Sequence, residues 1–186
     1  VNESWAIENV KVSLVTCTSP AISGTVTYGN ALGNPPAPRF VQNVVVNGSG
    51  SPGATNTTGT PGTYALTGFG SGSYTVTPSK PGGSNGAINS FDAGKIARHV
   101  SGLEALTGNQ LPSADVTANG QIQSFDAARI AQYVAGLPHG SQTGNWRFYV
   151  SPSVPFPPLP PSESRTYASI TSNITGEDYT ALLLGD

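Results

Sequence analysis

The chain has 186 residues, enough for one medium domain or two small ones with a real core. Only 10% of them are charged and the net charge is -2, against about 25% charged in an average soluble domain. That balance excludes a basic nucleic-acid surface and leaves little for electrostatic steering.

The 23 glycines and 16 prolines, with abundant Ser, Thr and Asn, give a polar but mostly uncharged surface, as in extracellular β-rich proteins. No methionine occurs, so the expectation is a processed product or a segment of a longer protein. No signal peptide and no membrane-spanning apolar run is present. Cys17 is single, which rules out an intrachain disulfide and reads as a small packing side chain, with an intermolecular bridge as the lesser option. Asn2, Asn47, Asn56 and Asn173 begin Asn-x-Ser/Thr sequons, candidates for glycosylation that an Asn/Ser/Thr-rich chain also produces by chance.

Residues 1–20 form the first segment, in which 10–15 (Val-Lys-Val-Ser-Leu-Val) read as a strand with no hairpin partner beside it. Residues 21–80 read as a β-sandwich. Residues 22–28 alternate apolar and polar, and 41–46 form a second β-rich run ended by Asn47-Gly48. Residues 62–77 read as a hairpin: Thr63-Tyr64-Ala65-Leu66, a Gly/Ser turn, then Ser73-Tyr74-Thr75-Val76-Thr77. Tyr64, Leu66, Tyr74 and Val76 keep the period of two of a sheet with one buried face. Gly24 and the run Gly62-Thr-Tyr-Ala-Leu-Thr-Gly-Phe-Gly-Ser-Gly-Ser-Tyr-Thr-Val resemble the carboxypeptidase regulatory-like (transthyretin-like) β-sandwich. That resemblance implies a non-catalytic spacer or adhesive module.

Residues 81–140 contain a duplication. Asn85-Gly86-Ala87-Ile88-Asn89-Ser90-Phe91-Asp92-Ala93 returns as Asn119-Gly120-Gln121-Ile122-Gln123-Ser124-Phe125-Asp126-Ala127. Each copy leads into a helix, predicted over 93–103 and 127–137, with Ile96, Val100 and Leu103 on one face and Ile130, Val134 and Leu137 on the other copy's equivalent face. Gly102 and Gly136 stand where a left-handed helix cap is wanted. The repeated residues are those a hard cation needs: oxygen donors, a glycine for the sharp turn, and a carboxylate entering a helix.

Counted from Asp115, the second loop offers oxygens at position 1 (Asp115), 3 (Thr117), 5 (Asn119), 7 (the Gln121 carbonyl), 9 (Gln123) and 12 (Asp126), with Gly120 at position 6. Ser124 and Asp126 are also what a helix start wants without any metal, but capping does not explain Asp115. In the first loop positions 1 and 3 fall on Pro81 and Gly83, leaving Asn85, the Ala87 carbonyl, Asn89 and Asp92. Either a carboxylate arrives from elsewhere in the fold, or this copy keeps the shape and has lost the ion. A mostly protein oxygen cage suits Ca2+ better than magnesium. The Asp-x-x-x-Asn-Gly-x-Ile-x-Ser-x-Asp pattern resembles the type I dockerin loop, and both copies share Asn-Gly-x-Ile-x-Ser-Phe-Asp-Ala. The resemblance implies a two-helix calcium-loop unit that binds a cohesin through helix-face residues after each loop, here Ala93, Gly94 and Lys95, then Ala127, Ala128 and Arg129.

Residues 141–186 read as an extension. Residues 146–150 read as a strand leading into Ser151-Pro-Ser-Val-Pro-Phe-Pro-Pro-Leu-Pro-Pro161, extended polyproline-like backbone expected as a surface-lying strap, with a ligand for aromatic grooves as the lesser reading. The chain closes with the apolar run 179–184, suited to a buried strand, which the assembly reading takes as an exposed terminal strand. The fold class expected is therefore mainly β with a small α part: an Ig/transthyretin-like sandwich, a dockerin-like unit, and a C-terminal β/polyproline extension.

No catalytic constellation emerges: His99 and His139 are the two histidines, Cys17 has no motif around it, and the glycine-rich turns lack a phosphate-loop lysine. The function expected is a non-catalytic, secreted or cell-surface bacterial structural protein, a calcium-stabilised subunit that self-assembles into a fibril or surface layer by strand exchange through residues 10–15. Its partners would be other copies of itself, with neither nucleic acid nor a membrane span. The alternatives are a dockerin-type adaptor binding a cohesin-like protein, and a spacer of a larger adhesin.

Overall fold

The computed structural model describes residues 19–30, 39–84 and 86–186. The strand expected over 10–15, Cys17, the Asn2 sequon and the candidate ligand Asn85 lie outside the described residues.

Among the described residues there are eight strands and three helices. Five strands come first: β1 (Ile22–Tyr28), β2 (Val45–Ser49), β3 (Ala54–Thr57), β4 (Thr63–Leu66) and β5 (Tyr74–Ser79). The helices follow as α1 (Ser90–Val100), α2 (Gln110–Ala114) and α3 (Ser124–Val134). Three more strands, β6 (Trp146–Tyr149), β7 (Arg165–Tyr167) and β8 (Tyr179–Leu183), end the chain. The strands build two four-stranded sheets, ordered β4-β1-β8-β6 and β3-β2-β5-β7. The fold is thus mainly β with a small α part, as the sequence patterning implies.

The expected 62–77 hairpin is not one. β4 pairs with β1 (Leu66 opposite Ile22), whereas β5 pairs with β2 and β7 in the other sheet. The period-two reading survives for a different reason: Tyr64, Leu66, Tyr74 and Val76 are all buried, from opposite sheets, in one shared core. Between them the chain arches across, with Gly68 at φ 86° and the buried Phe69 ring 4.7 Å from Tyr74. Alternation marks which face is buried, and it cannot say which neighbour the strand hydrogen-bonds.

The 179–184 run is a buried strand, as its apolar pattern implies, and the exposed strand that the assembly reading needs is corrected. β8 lies between β1, to which it is parallel (Val26 opposite Tyr179), and β6, to which it is antiparallel (Phe148 opposite Ala181). Tyr179 and Ala181 enter the sandwich core, Leu183 and Leu184 pack under the helices, and Leu182 packs with Tyr149 and Val154. A strand covered on both faces reads as a continuous apolar run rather than an alternating one. Each fully buried leucine contributes roughly 1.5–3 kcal/mol relative to exposure. The sandwich therefore draws strands from before and after the helices. Gly24 permits the close crossing: a side chain there would strike the Glu177 carbonyl on the approach to β8.

The helices begin three residues earlier than the periodicity predicts, at Ser90 and Ser124, because each is opened by a capping box. In α1 the Asn89 N–H donates to Asp92 and the Phe91 N–H donates to the Asn89 side chain, 2.8 Å each. They also end earlier, in paired Schellman turns: Leu103 N–H donates to Arg98 O and Leu137 N–H to Gln132 O, 2.9 Å each, over Gly102 (φ 74°) and Gly136 (φ 69°). The expected apolar stripes are consequently buried only at Ile96 and Ile130. Val100, Leu103, Val134 and Leu137 are exposed. α1 and α3 pack on each other, and α2, which no sequence signal indicated, delivers the chain into the second loop.

The Pro-rich segment is a strap across the surface. Tyr149 hydroxyl donates to the Pro160 carbonyl (2.9 Å), and Asn109 clamps it from the helical side, donating to Pro152 O (2.9 Å) and accepting from Val154 N–H (3.0 Å). Asn30, buried at the junction of sandwich and helices, binds Ser113 Oγ (2.9 Å), both backbone groups of Leu183 (2.8 Å each) and the Asp186 carbonyl (2.9 Å).

Candidate metal centre

The second loop folds around two carboxylates. Asp115 leaves α2 and Asp126 enters α3, and both are fully buried, 0% exposed. Asp115 accepts N–H donors from Asn119 (3.1 Å) and Gly120 (2.8 Å), a closure that Ala118 at φ 57° and Gly120 at φ 79° make possible. Asp126 accepts from Thr117 N–H (3.1 Å), Thr117 hydroxyl (2.9 Å) and Gln123 N–H (2.9 Å). The same hydroxyl lies 3.4 Å from Asp115, so Thr117 stands between the two acids. Asn119 side chain accepts from Gln121 N–H (2.8 Å), and the exposed Gln121 and Gln123 side chains bond to each other.

Neither carboxylate is ion-paired among the described residues: the two ion pairs there are Arg98–Glu104 (2.8 Å) and Arg165–Glu177 (2.9 Å). Two buried acids solvated only by neutral donors are costly unless a cation joins them. The donor set around them, hard oxygens at the spacing of a calcium loop, fits Ca2+. The Pro-rich strap closes over this loop, since a side chain at Gly120 would meet Pro157 and Pro158 at 3.7–3.8 Å.

The first loop repeats the half of this geometry that lies at the helix. Asn89 N–H donates to Asp92 at 2.8 Å as Gln123 N–H does to Asp126 at 2.9 Å, and Gly86 (φ 73°) matches Gly120. Asn89 side-chain nitrogen donates to the Ala87 carbonyl (3.1 Å). Pro81 and Gly83 are exposed at the positions where the second copy has Asp115 and Thr117. A carboxylate from the far end of the chain borders this loop. Asp186 lines one cavity with Asp92, and its side chain accepts a hydrogen bond from the Tyr28 hydroxyl. Burial raises the pKa of Asp92, opposed by the Asn89 N–H and reinforced by the charge of Asp186. Burial raises Asp186 as well, against the Tyr28 hydroxyl and the charges of Arg39 and Lys95. Sequence reasoning left room for such an arrival and could not name its source, because nothing local connects β8 to α1.

Residues 84–135 match the dockerin type I domain. The matched stretch takes in α1, α2, α3 and both loops as far as they extend beyond residue 83. Dockerin type I domains bind Ca2+, which supports calcium for this unit without choosing between its loops. Comparison with curated proteins finds no match to the chain.

The dockerin-like unit also carries an aromatic pair that the sequence reading passed over. Phe91 is 68% exposed and Phe125 50% exposed, at equivalent positions of the two copies. Each ring lies under the cation of the next turn, Lys95 5.4 Å and Arg129 4.3 Å from the ring centroids. Of the residues expected to face a partner, Ala127 is buried and Ala93 half-buried, Gly94 and Ala128 are exposed, and Lys95 and Arg129 lie over the rings.

His99 accepts from Leu106 N–H (3.1 Å), and His139 sits 2.8 Å from Ser141 Oγ with its ring edge-on to Tyr133. Both shape loops. Of the sequons, Asn47 and Asn173 are exposed but engaged, accepting from Thr55 hydroxyl (2.9 Å) and Ala21 N–H (3.0 Å), and Asn56 is half-buried in β3. No described helix is long and apolar enough to cross a membrane.

Proposed function

We propose that the chain is a non-catalytic, calcium-stabilised module of a secreted bacterial assembly, and that its dockerin-like unit docks a cohesin-like partner protein. The observation that carries the reading is the exposed pair Phe91 and Phe125. Two large rings held outward at matching positions of a rigid helix pair form an anchor of the kind protein interfaces use. Calcium in the second loop would be held by Asp115, Thr117, Asn119, the Gln121 carbonyl, Gln123 and Asp126. Its role is to neutralise the two buried acids and fix the entry of α3, and with it the aim of Phe125.

Homomeric assembly by strand exchange has less behind it. Its apolar C-terminal strand is a central strand of the sandwich, and its N-terminal strand lies outside the described residues. Light scattering of the chain with calcium and with EGTA separates the readings. A monomer in both conditions that captures type I cohesin domains only with calcium, and loses that capture in Phe91→Ser/Phe125→Ser, supports docking. Large assemblies of the chain alone would put self-association in its place.

A further inference from the structure

We propose that Asp186 is the missing carboxylate of the first loop, so that this loop binds calcium at a composite site closed by the end of the sandwich's central strand. The inference rests on the calcium reading above and adds a ligand from outside the dockerin-like unit.

Asp186 borders the first loop. It shares a cavity of about 60 Å³ with Asp92, the carboxylate that opens α1. On its other side it borders a second cavity with Ser84 and Ala87, the latter being the loop's candidate carbonyl donor. Asp186 therefore borders both Asp92 and Ala87, and the Tyr28 hydroxyl donates to its Oδ2.

The backbone that delivers it parallels the one that completes the second loop. Gly185 N–H donates to Ser113 O at 2.9 Å, so residues 184–186 run beside 113–115. Asn30 fastens both, through Ser113 Oγ and the Asp186 carbonyl at 2.9 Å each. Leu183, Leu184, Ala114 and Val116 share one core with Ile96 and Ile130. Two adjacent backbones thus leave a common core, one carrying Asp115 toward Asp126 of α3, the other carrying Asp186 toward Asp92 of α1. Pro81 and Gly83 need offer no side-chain oxygen, because the loop is completed in space and not along the chain. Lys95 lines the same cavity and is the cation that competes with calcium there.

The test is calcium stoichiometry of the EGTA-stripped full chain by titration calorimetry. Two ions per chain are expected for the wild type, one for Asp186→Asn and one for Asp126→Asn, with the Asp186→Asn sandwich still melting cooperatively. Lys95→Gln leaves the cap of α1 intact and is expected to tighten the first site by about tenfold. Two ions bound by Asp186→Asn, or no tightening in Lys95→Gln, would overturn the proposal. A wild type that binds one ion, lost in Asp126→Asn, overturns the composite site while leaving the calcium reading standing; a wild type that binds none removes both.

Discussion

Asp115 and Asp126 gather the N–H groups of the second loop, and in the proposed function they would also present oxygens to calcium. Replacing Asp115 with Ala strands the Asn119 and Gly120 N–H groups and should cost roughly 2–4 kcal/mol even in EGTA. It should also abolish any calcium-dependent rise in melting temperature. Denaturant melts with and without calcium check both. The tyrosines make a second prediction. Burial pushes Tyr149 and Tyr179 up to about 12 and raises Tyr28, Tyr64 and Tyr167 as well. Above pH 10 the unfolded chain releases phenolic protons that the folded chain keeps, so stability falls as pH rises from there. Absorbance at 295 nm should show these rings ionising together with unfolding. Ionisation near pH 10 with the fold intact would refute the packing described.

At the scale of elements, the repeat was legible because its signals are local: a turn glycine, a capping residue and a helix-opening carboxylate lie within a few positions of one another. Helix ends were less so. Leu103 and Leu137 continue the apolar period yet sit beyond Gly102 and Gly136, whose left-handed backbone stops the helix first. Nothing lies within 4 Å of a side chain added at either glycine. Gly102→Ala and Gly136→Ala should therefore each cost about 1 kcal/mol through backbone strain alone, measurable by urea unfolding. A neutral result would mean that the cap relaxes. The 62–77 hairpin misled for a physical reason: both halves bury the same alternate residues, and only the arch at Phe69 sends them to different sheets.

At the scale of the whole molecule, the sandwich and the helical unit are one packing problem. β8 reaches the first sheet after the helices, lies beside β1, and offers Leu183 and Leu184 to α1 and α3. No sequence pattern announces that closure, because a run of leucines records burial without naming what buries it. Removal of residues 179–186 should cost cooperative unfolding of sandwich and helices together, seen as loss of the near-UV circular dichroism signal; retention of a folded sandwich would show that β8 is dispensable. The central claim, that calcium stiffens the unit presenting Phe91 and Phe125, is tested most directly by hydrogen–deuterium exchange in calcium and in EGTA. The account predicts slower exchange in calcium across 115–137, with strands β2, β3 and β5 unchanged. Identical exchange across 115–137 in the two conditions would contradict it.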